Sequence, residues 1–299
     1  MTTEEDKIIG DSELVLHPDG SVYHLGIKPE HLANNVILVG DPGRVEKVSV
    51  FFYTIEFTGH NREFIVQTGR YRDKRITVMS TGMGTDNIDI VLNELDALVN
   101  IDLDSRRIKR EHTSLNLFRL GTSGSIQPDL PLNAVVVSSG VIGFDGLLHY
   151  YRHTEEPYEK ELIKAFTRHM NLDPVLPEPY FLQAGEDMLR LFDFEGVHKG
   201  ITITAPGFYG PQGRSLRLPL AMPGINDKLQ TFRFGDEKIL NYEMETSALY
   251  GLSRILGHKA LTVCLAIANR HRKAVSGNYH EAMEMLINRL LSVIVGIKD

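Results

Sequence analysis

Short apolar runs rich in β-branched residues recur along the chain, each separated from the next by a longer amphipathic stretch. Residues 36–39, 76–79, 117–120, 134–137, 200–204 and 260–268 are such runs, and several are continuously apolar rather than alternating. Continuity of that kind belongs to strands covered on both faces of a sheet. Residues 86–99, Pro157–Met170, 186–192, 242–256 and Tyr279–Val295 instead read as helices. Strand and helix in alternation predict an α/β fold on a largely parallel sheet. The charged 102–112 segment and the proline-rich 173–179 segment are expected at the surface. Neither has the composition of a linker, and no repeat or low-complexity tract appears, so a single domain over residues 1–299 is expected.

A chain of 299 residues, 42% of them hydrophobic, can bury a sizeable core. Its 39 acidic and 32 basic side chains leave a formal charge of −7, the wrong sign for a nucleic-acid binder. Cys264 is the single cysteine, which rules out an intrachain disulfide and favours a reducing compartment. The longest apolar runs, 260–268 and 290–297, fall well short of a membrane helix, which needs roughly 20 residues. The first ten residues, MTTEEDKIIG, are acidic and hold no apolar signal core. A soluble, cytoplasmic protein with neither nucleic acid nor membrane as partner is expected.

Five segments have the composition of a binding site. Gly40-Asp41-Pro42-Gly43-Arg44 follows a strand; its glycines let backbone approach an anion and Arg44 offers a charged fork. The alternative is a tight turn with a surface arginine. Thr81-Gly82-Met83-Gly84 imitates a dinucleotide fingerprint but has Asn87 where the third glycine belongs, so it reads as a close strand-to-helix turn. Arg119-Leu120-Gly121-Thr122-Ser123-Gly124-Ser125 sets an arginine at a strand end before glycines and three hydroxyls, which suits an oxyanion; a polar turn is the alternative. Asn241-Tyr242-Glu243-Met244-Glu245 reads as a helix start, with Glu245 heading an apolar stripe through Ala248, Leu249, Leu252 and Leu256. An inward carboxylate there needs donors such as sugar hydroxyls, or else it complements a helix N-terminus. Phe208-Tyr209-Gly210-Pro211-Gln212-Gly213-Arg214 offers an aromatic face, an amide and a guanidinium to a planar ring, or is a flexible Gly-Pro loop. The histidines form no HExxH: His280-Glu281 lacks its second histidine, and His258, His271 and the others are scattered, so no metal is expected.

Val22-Tyr23-His24-Leu25-Gly26, Gly40 to Arg44, His60-Asn61-Arg62-Glu63-Phe64, Ser80 to Gly84, 118–124, 208–214, 241–245 and Ala268-Asn269-Arg270 occur in an order that resembles the nucleoside phosphorylase family, in its uridine-cleaving branch. The resemblance runs from about residue 22 to residue 270. It implies a single-domain, three-layer fold with a mixed central sheet flanked by helices. It also implies phosphorolysis of uridine to uracil and ribose 1-phosphate. Residues matching Gly40, Arg44, Arg119 and Thr122 hold the phosphate in that family, and one matching Arg62 completes the site from a neighbouring subunit. The residue matching His24 also crosses the subunit boundary, to the ribose 5′-hydroxyl, while Met244 and Glu245 match the residues on the 2′- and 3′-hydroxyls. Ser123 and Phe208 match residues facing the base, Gln212 and Arg214 those bonding the uracil edge, and Arg270 one near the base. Arg119, Glu245, Arg214 and Gln212 are then the residues expected to carry catalysis. The implied assembly is a homo-oligomer with sites shared across a dimer interface, and phosphate is a co-substrate, with no cofactor or metal.

The base class is legible in the same way. Purine-cleaving relatives carry an aspartate after the late strand, whereas this strand ends in Ala268-Asn269-Arg270, which favours a pyrimidine. Three features depart from the pattern. The 100–114 segment is long and charged, Ser123 replaces a common threonine, and Asn87 stands where some relatives use a serine with Glu63 to bind a monovalent cation. The long segment, with 150–156, bears on how subunits pack. A purine phosphorylase, a nucleosidase of the same fold and a non-catalytic nucleoside-binding protein remain the alternative readings; Arg44, Arg62 and Arg119 argue against hydrolysis.

Overall fold

The computed structural model describes residues 7–297; the first six residues of the acidic amino terminus and the last two of the chain lie outside the described residues. In chain order the elements are β1 (Asn35–Val39), α1 (Gly43–Ser49), β2 (Thr54–Asn61), β3 (Phe64–Tyr71), β4 (Lys74–Ser80), α2 (Thr85–Asn100), β5 (Ile101–Asp102), β6 (Arg107–Ile108), β7 (Asn116–Ser125) and β8 (Ala134–Gly143). Then come α3 (Pro157–Met170), β9 (Tyr180–Gln183), α4 (Glu186–Arg190), β10 (Val197–Thr204), α5 (Ile225–Thr231), β11 (Arg233–Phe234), β12 (Glu237–Glu243), α6 (Thr246–Leu256), β13 (Lys259–Asn269), β14 (Ala274–Val275) and α7 (Tyr279–Val295). No helix of the described residues is long and apolar enough to cross a membrane.

Apart from β5 and β6, which pair only with each other, the strands form one mixed sheet in the order β11-β12-β10-β8-β13-β7-β1-β4-β3-β2, with β9 on β8 and β14 on β13. Its middle is parallel, as the continuous apolar runs predict: β4, β1, β7 and β13 all run the same way. Every residue of β1 is buried, in a strand paired to β4 on one side and β7 on the other. One core joins β1, β4, β7 and β13 to the apolar faces of α2, α6 and α7, through residues such as Leu92, Leu249 and Leu290. A second, smaller core packs α3 and α5 on β10 and β12 around Phe166, Ile203 and Phe232.

The sheet also curls. Asn241 and Tyr242 of β12 pair antiparallel with Ser125 and Gly124 of β7, so β7, β13, β8, β10 and β12 close into a ring. This closure corrects the helix expected over 242–256. Tyr242 and Glu243 are the last residues of a strand, and α6 begins only at Thr246. Pairing to β10 and β7 on both sides outweighs the local helical spacing. The helix expected at 186–192 is also shorter, ending at Arg190. The charged segment after α2 holds a short hairpin, β5–β6, with two residues in each strand, whose Arg106 backbone and side chain hold Ile9 and Leu14.

Helix α6 seats against the short turn Leu147–Tyr150 at Gly251, where a methyl would collide with the fully buried Leu148. Gly251→Ala would gain about 1 kcal/mol of helix propensity, but overpacking a filled core costs about 1–3 kcal/mol. The collision is with branched carbons that have no exit, so the second effect should win. Urea unfolding should show a net loss of about 1 kcal/mol; an increase in midpoint would show that Leu148 moves aside freely.

Candidate active site

Parallel strands bring their carboxyl ends to one place, and ligands bind where neighbouring strands part. β1 pairs with β7 only as far as Arg119, and β12 takes up β7 again at Gly124. Along the stretch between, β7 has β13 as its partner on one side and an open edge on the other. Gly40 to Arg44 leaves the end of β1, and Thr81 to Gly84 leaves the end of β4, beside that opening. β12 runs against β7, so its end carries Glu243 and Glu245 back towards Arg119.

Arg119 therefore stands within a strand, not at its end, and the segment 119–125 is no turn. The role of its glycine changes with that. A side chain on Gly121 would strike the Arg119 guanidinium and Cys264 Sγ, so this glycine makes room for the charge instead of exposing N–H groups. Arg119 Nη2 bonds Glu245 Oε2, its Nη1 donates to Cys264 Sγ at 3.3 Å, and Glu243 Oε2 lies 3.5 Å from Nη1. Burial, the largest influence, works against the guanidinium's charge; the Glu245 and Glu243 carboxylates together outweigh it and hold Arg119 above the ordinary arginine value. Burial also pushes the Cys264 thiol up to about 11, so it stays neutral.

The carboxylates are held in turn. Glu245 is the N-cap residue of α6, with φ −137° and ψ −24°, so it precedes the helix stripe instead of heading it. Its Oε1 accepts the N–H of Gly84 at 2.8 Å. Glu243 accepts the N–H groups of Glu245 and Thr246 at 2.8 and 2.9 Å and the Thr204 hydroxyl at 2.5 Å. Burial pushes the Glu243 carboxyl up, against the pull of Arg119. Arg44, also buried, donates to Leu120 O at 3.1 Å in the open stretch of β7; burial lowers its value, and Asp41 opposes that. A side chain on Gly40 would come within 3.3 Å of Gly82 O, so these two loops touch. Thr122 is half-buried on the same stretch, and Met244 sits between the two carboxylates. Arg119 and Glu245 are thus joined directly, Arg44 bonds the open stretch of β7 on which Thr122 lies, and Gly40 leaves the end of β1 beside it.

A second group lies at Gln212. The Gln212 side chain is buried, and its Oε1 accepts Arg214 Nη1 at 2.6 Å. Arg270 Nη2 bonds Gln212 O. The Arg214 guanidinium stacks 3.6 Å from the centre of the Phe208 ring, which is otherwise half exposed. Burial and then the neighbouring Arg270 charge bring Arg214 down to about 10, still a cation near neutral pH. Ser123 Oγ, Tyr242 Oη and Arg270 Nε are buried and have no hydrogen-bond partner among the described residues. Buried polar atoms rarely stay unpaired, so such orphans mark a place for water or ligand. A cavity of about 730 Å³ opens beside this loop, lined by Arg214, Tyr209, Leu216 and Met222 among others.

His24 and Arg62 form a third group. The β2–β3 turn places Arg62 with φ +53°, and its guanidinium lies 5.4 Å from the Tyr23 ring centre. Asn61 Nδ2 donates to Tyr23 O and His24 O at 3.0 and 2.9 Å. Among the described residues no hydrogen bond or ion pair joins His24 or Arg62 to Arg44, Arg119 or Glu245.

Two points were missed in the sequence. Glu243 carries no role in the sequence motifs; Glu-x-Glu in extended chain puts both carboxylates on one face, and that spacing is the usable signal. The histidines are also less scattered than expected: Asp96, His112 and His258 bring ligand atoms within 4.8 Å of one another. Leu115 N–H donates to His258 Nδ1 at 3.2 Å, and the buried His258 Nε2 lies 3.3 Å from Asp96 Oδ1 without a hydrogen bond among the described residues. His112 Nε2 is engaged with Leu256 O at 2.8 Å. The cluster fastens the charged segment to the end of α6.

Gly121→Ala tests how the arginine is seated. The added methyl should push the guanidinium off Glu245, giving a folded protein whose turnover falls at least tenfold, by analogy with the loss of one fixed charge-stabilising donor. Near-normal turnover would mean that Arg119 is not held by this packing.

Residues 35–297 match the family model described as the phosphorylase superfamily. A uridine phosphorylase from Thermococcus kodakarensis is 29% identical over 260 residues, 84% of this chain and 79% of that protein. A DeoD-type purine nucleoside phosphorylase from Listeria welshimeri is 26% identical over 241 residues, 80% of this chain and 84% of that protein. A solved structure of a Trypanosoma brucei nucleoside phosphorylase, described as showing uridine phosphorylase activity, is similar with a TM-score of 0.87 and 30% identity, over 95% of this chain and 100% of that one. The family match takes in every strand of the ring and all three groups of side chains apart from Tyr23 and His24, and the chain belongs to the phosphorylase superfamily.

Proposed function

We propose that this chain catalyses the reversible phosphorolysis of uridine to uracil and ribose 1-phosphate, as a pentosyltransferase of one domain acting in the cytoplasm. The observation that carries the reading is the arrangement along the open edge of β7. Two buried guanidiniums, Arg44 and Arg119, share one end with the two carboxylates, and a buried amide with Arg214 and Arg270 forms the other group. Arg44, Arg119, Thr122 and the Gly40 backbone suit a phosphate dianion. Glu245 with Met244 suits the ribose 2′- and 3′-hydroxyls. Ser123 and Phe208 would face the base, with Gln212 and Arg214 on its carbonyls and N3, and Arg270 behind them.

The chemistry follows from charge. The N1–C1′ pair leaves with the base, the ribose becomes cationic, and a phosphate oxygen closes the new bond to C1′. Phosphate held beside C1′ stabilises the cation, and Arg214 with Gln212 stabilises the uracil anion. No cofactor enters this scheme. Asn269 favours a pyrimidine: its Nδ2 donates to Gln127 O and Leu130 O at 3.0 Å each, and its Oδ1 accepts Arg272 N–H at 2.9 Å, so it is tied into the fold and offers no acid to a purine ring. His24 and Arg62 support a shared site. They stand together on one knot of chain, unconnected to the phosphate group of their own subunit, as residues destined for a neighbour's pocket would. The working unit is then a homo-oligomer built from dimers.

Uracil release from uridine should require phosphate, and inosine should be a poor substrate. Release without phosphate would make the chain a hydrolase, preference for inosine would make it a purine enzyme, and binding without release would make it a sensor. Complementation checks the sharing. Arg119→Ala and Arg62→Ala should each be nearly inactive. Co-expressed with different tags and purified as doubly tagged dimers, they place both lesions in one pocket and none in the other, so about half of wild-type activity should return. Mixed dimers as inactive as their parents would overturn the shared site.

A further inference from the structure

His24 is held by one side chain from far along the chain. Glu94, on α2, accepts the His24 N–H through both oxygens, at 3.0 Å on Oε1 and 3.1 Å on Oε2, and the Leu25 N–H at 2.8 Å through Oε2. The same Oε1 lies 2.6 Å from His24 Nδ1. The Glu94 side chain is 14% exposed and that of His24 is 31% exposed. Exposed His–carboxylate pairs contribute little because both partners are mobile. Here the carboxylate is fixed by two backbone donors, so it is an oriented group.

Those donors also settle the proton. A carboxylate carries acceptors only, and both of its oxygens here already take backbone N–H groups, so the contact at Nδ1 is donated by the ring. The neutral ring is then the Nδ1–H tautomer, with its lone pair on Nε2. Among the described residues Nε2 has no hydrogen-bond partner.

We infer that Glu94 is a positioning residue for the ribose: it holds His24 as the Nδ1–H tautomer and presents the Nε2 lone pair to accept the ribose 5′-hydroxyl proton in the adjoining subunit's pocket. The inference rests on the reading of His24 given above. A carboxylate that orients and polarises a histidine through its remote nitrogen is a general device, and its loss typically weakens the function of that histidine by about tenfold or more.

Glu94→Gln separates this role from simple packing. With its amide oxygen in the place of Oε2 it still accepts both backbone N–H groups, which puts its NH₂ in the place of Oε1, facing Nδ1, and makes that nitrogen the acceptor. The ring proton should move to Nε2. Imidazole ¹⁵N NMR, assigned by loss of the signals in His24→Ala, should show the Nδ1–H form in the parent protein and the Nε2–H form in Glu94→Gln. In kinetics, the parent should prefer uridine to 5′-deoxyuridine. His24→Ala should reduce that preference by about tenfold, the value of one hydrogen bond. Glu94→Gln should lose most of it, mainly in KM, and should change nothing further in the His24→Ala background. Where Glu94→Gln does not fold, Glu94→Asp keeps the charge but withdraws it from Nδ1, and the same loss of preference is expected. A wild-type tautomer and preference in the Glu94 variants, with preference lost in His24→Ala, would overturn the role of Glu94 alone. An unchanged preference in His24→Ala would remove the ribose reading of His24, and the role of Glu94 with it.

Discussion

The arrangement of the site depends on one buried cation. Arg119 lies in the middle of a parallel strand, 6% exposed, where an unpaired charge would be prohibitive. Everything around it answers that cost. Gly121 has no side chain, so the guanidinium has volume to occupy. Cys264 on β13 is small and neutral. Glu243 and Glu245 arrive from β12 and balance the charge, and they are held by backbone N–H groups of α6 and of Gly84. A buried ion pair is weak evidence of stability, since apolar residues of equal volume would often serve the fold as well. Its presence in so confined a place is better explained by chemistry at an oxyanion and a diol.

That requirement reaches up to the topology. A flat doubly wound sheet would leave the ends of β10 and β12 beside each other and far from β7. Curling the sheet until Tyr242 meets Gly124 turns the end of β12 back along β7, and the two carboxylates are delivered to Arg119. The same closure leaves β7 open between Arg119 and Gly124. The gap in the ladder and the counter-charge are two results of a single strand pairing.

This also explains what the sequence showed and what it hid. Pro157–Met170 and Tyr279–Val295 form helices with the limits that apolar periodicity predicts, because each packs one face on the sheet. β1, β4, β7 and β13 were visible because strands buried on both faces read as continuous apolar runs. β2 was not, because it is largely exposed and its polar, alternating residues carry no such mark. The start of α6 was misplaced because pairing across β7 and β10, a contact between distant residues, decides that Tyr242 and Glu243 are extended. At the site, residue types were legible and partnerships were not. The motifs named Arg119 and Glu245, but nothing local announces that they bond each other across 126 positions, or that Glu94 reaches His24 across 70.

Two long-range contacts meet at α2. The residue before its first turn, Gly84, donates to Glu245, and Glu94, three turns further on, accepts from His24. Ten residues of α-helix span about 15 Å and do not readily bend. Under the shared-site reading, Gly84 belongs to the pocket that holds a ribose by Glu245, and His24 belongs to the pocket of the neighbour. A single rigid element then fixes a ribose acceptor in one pocket relative to a ribose acceptor in the other.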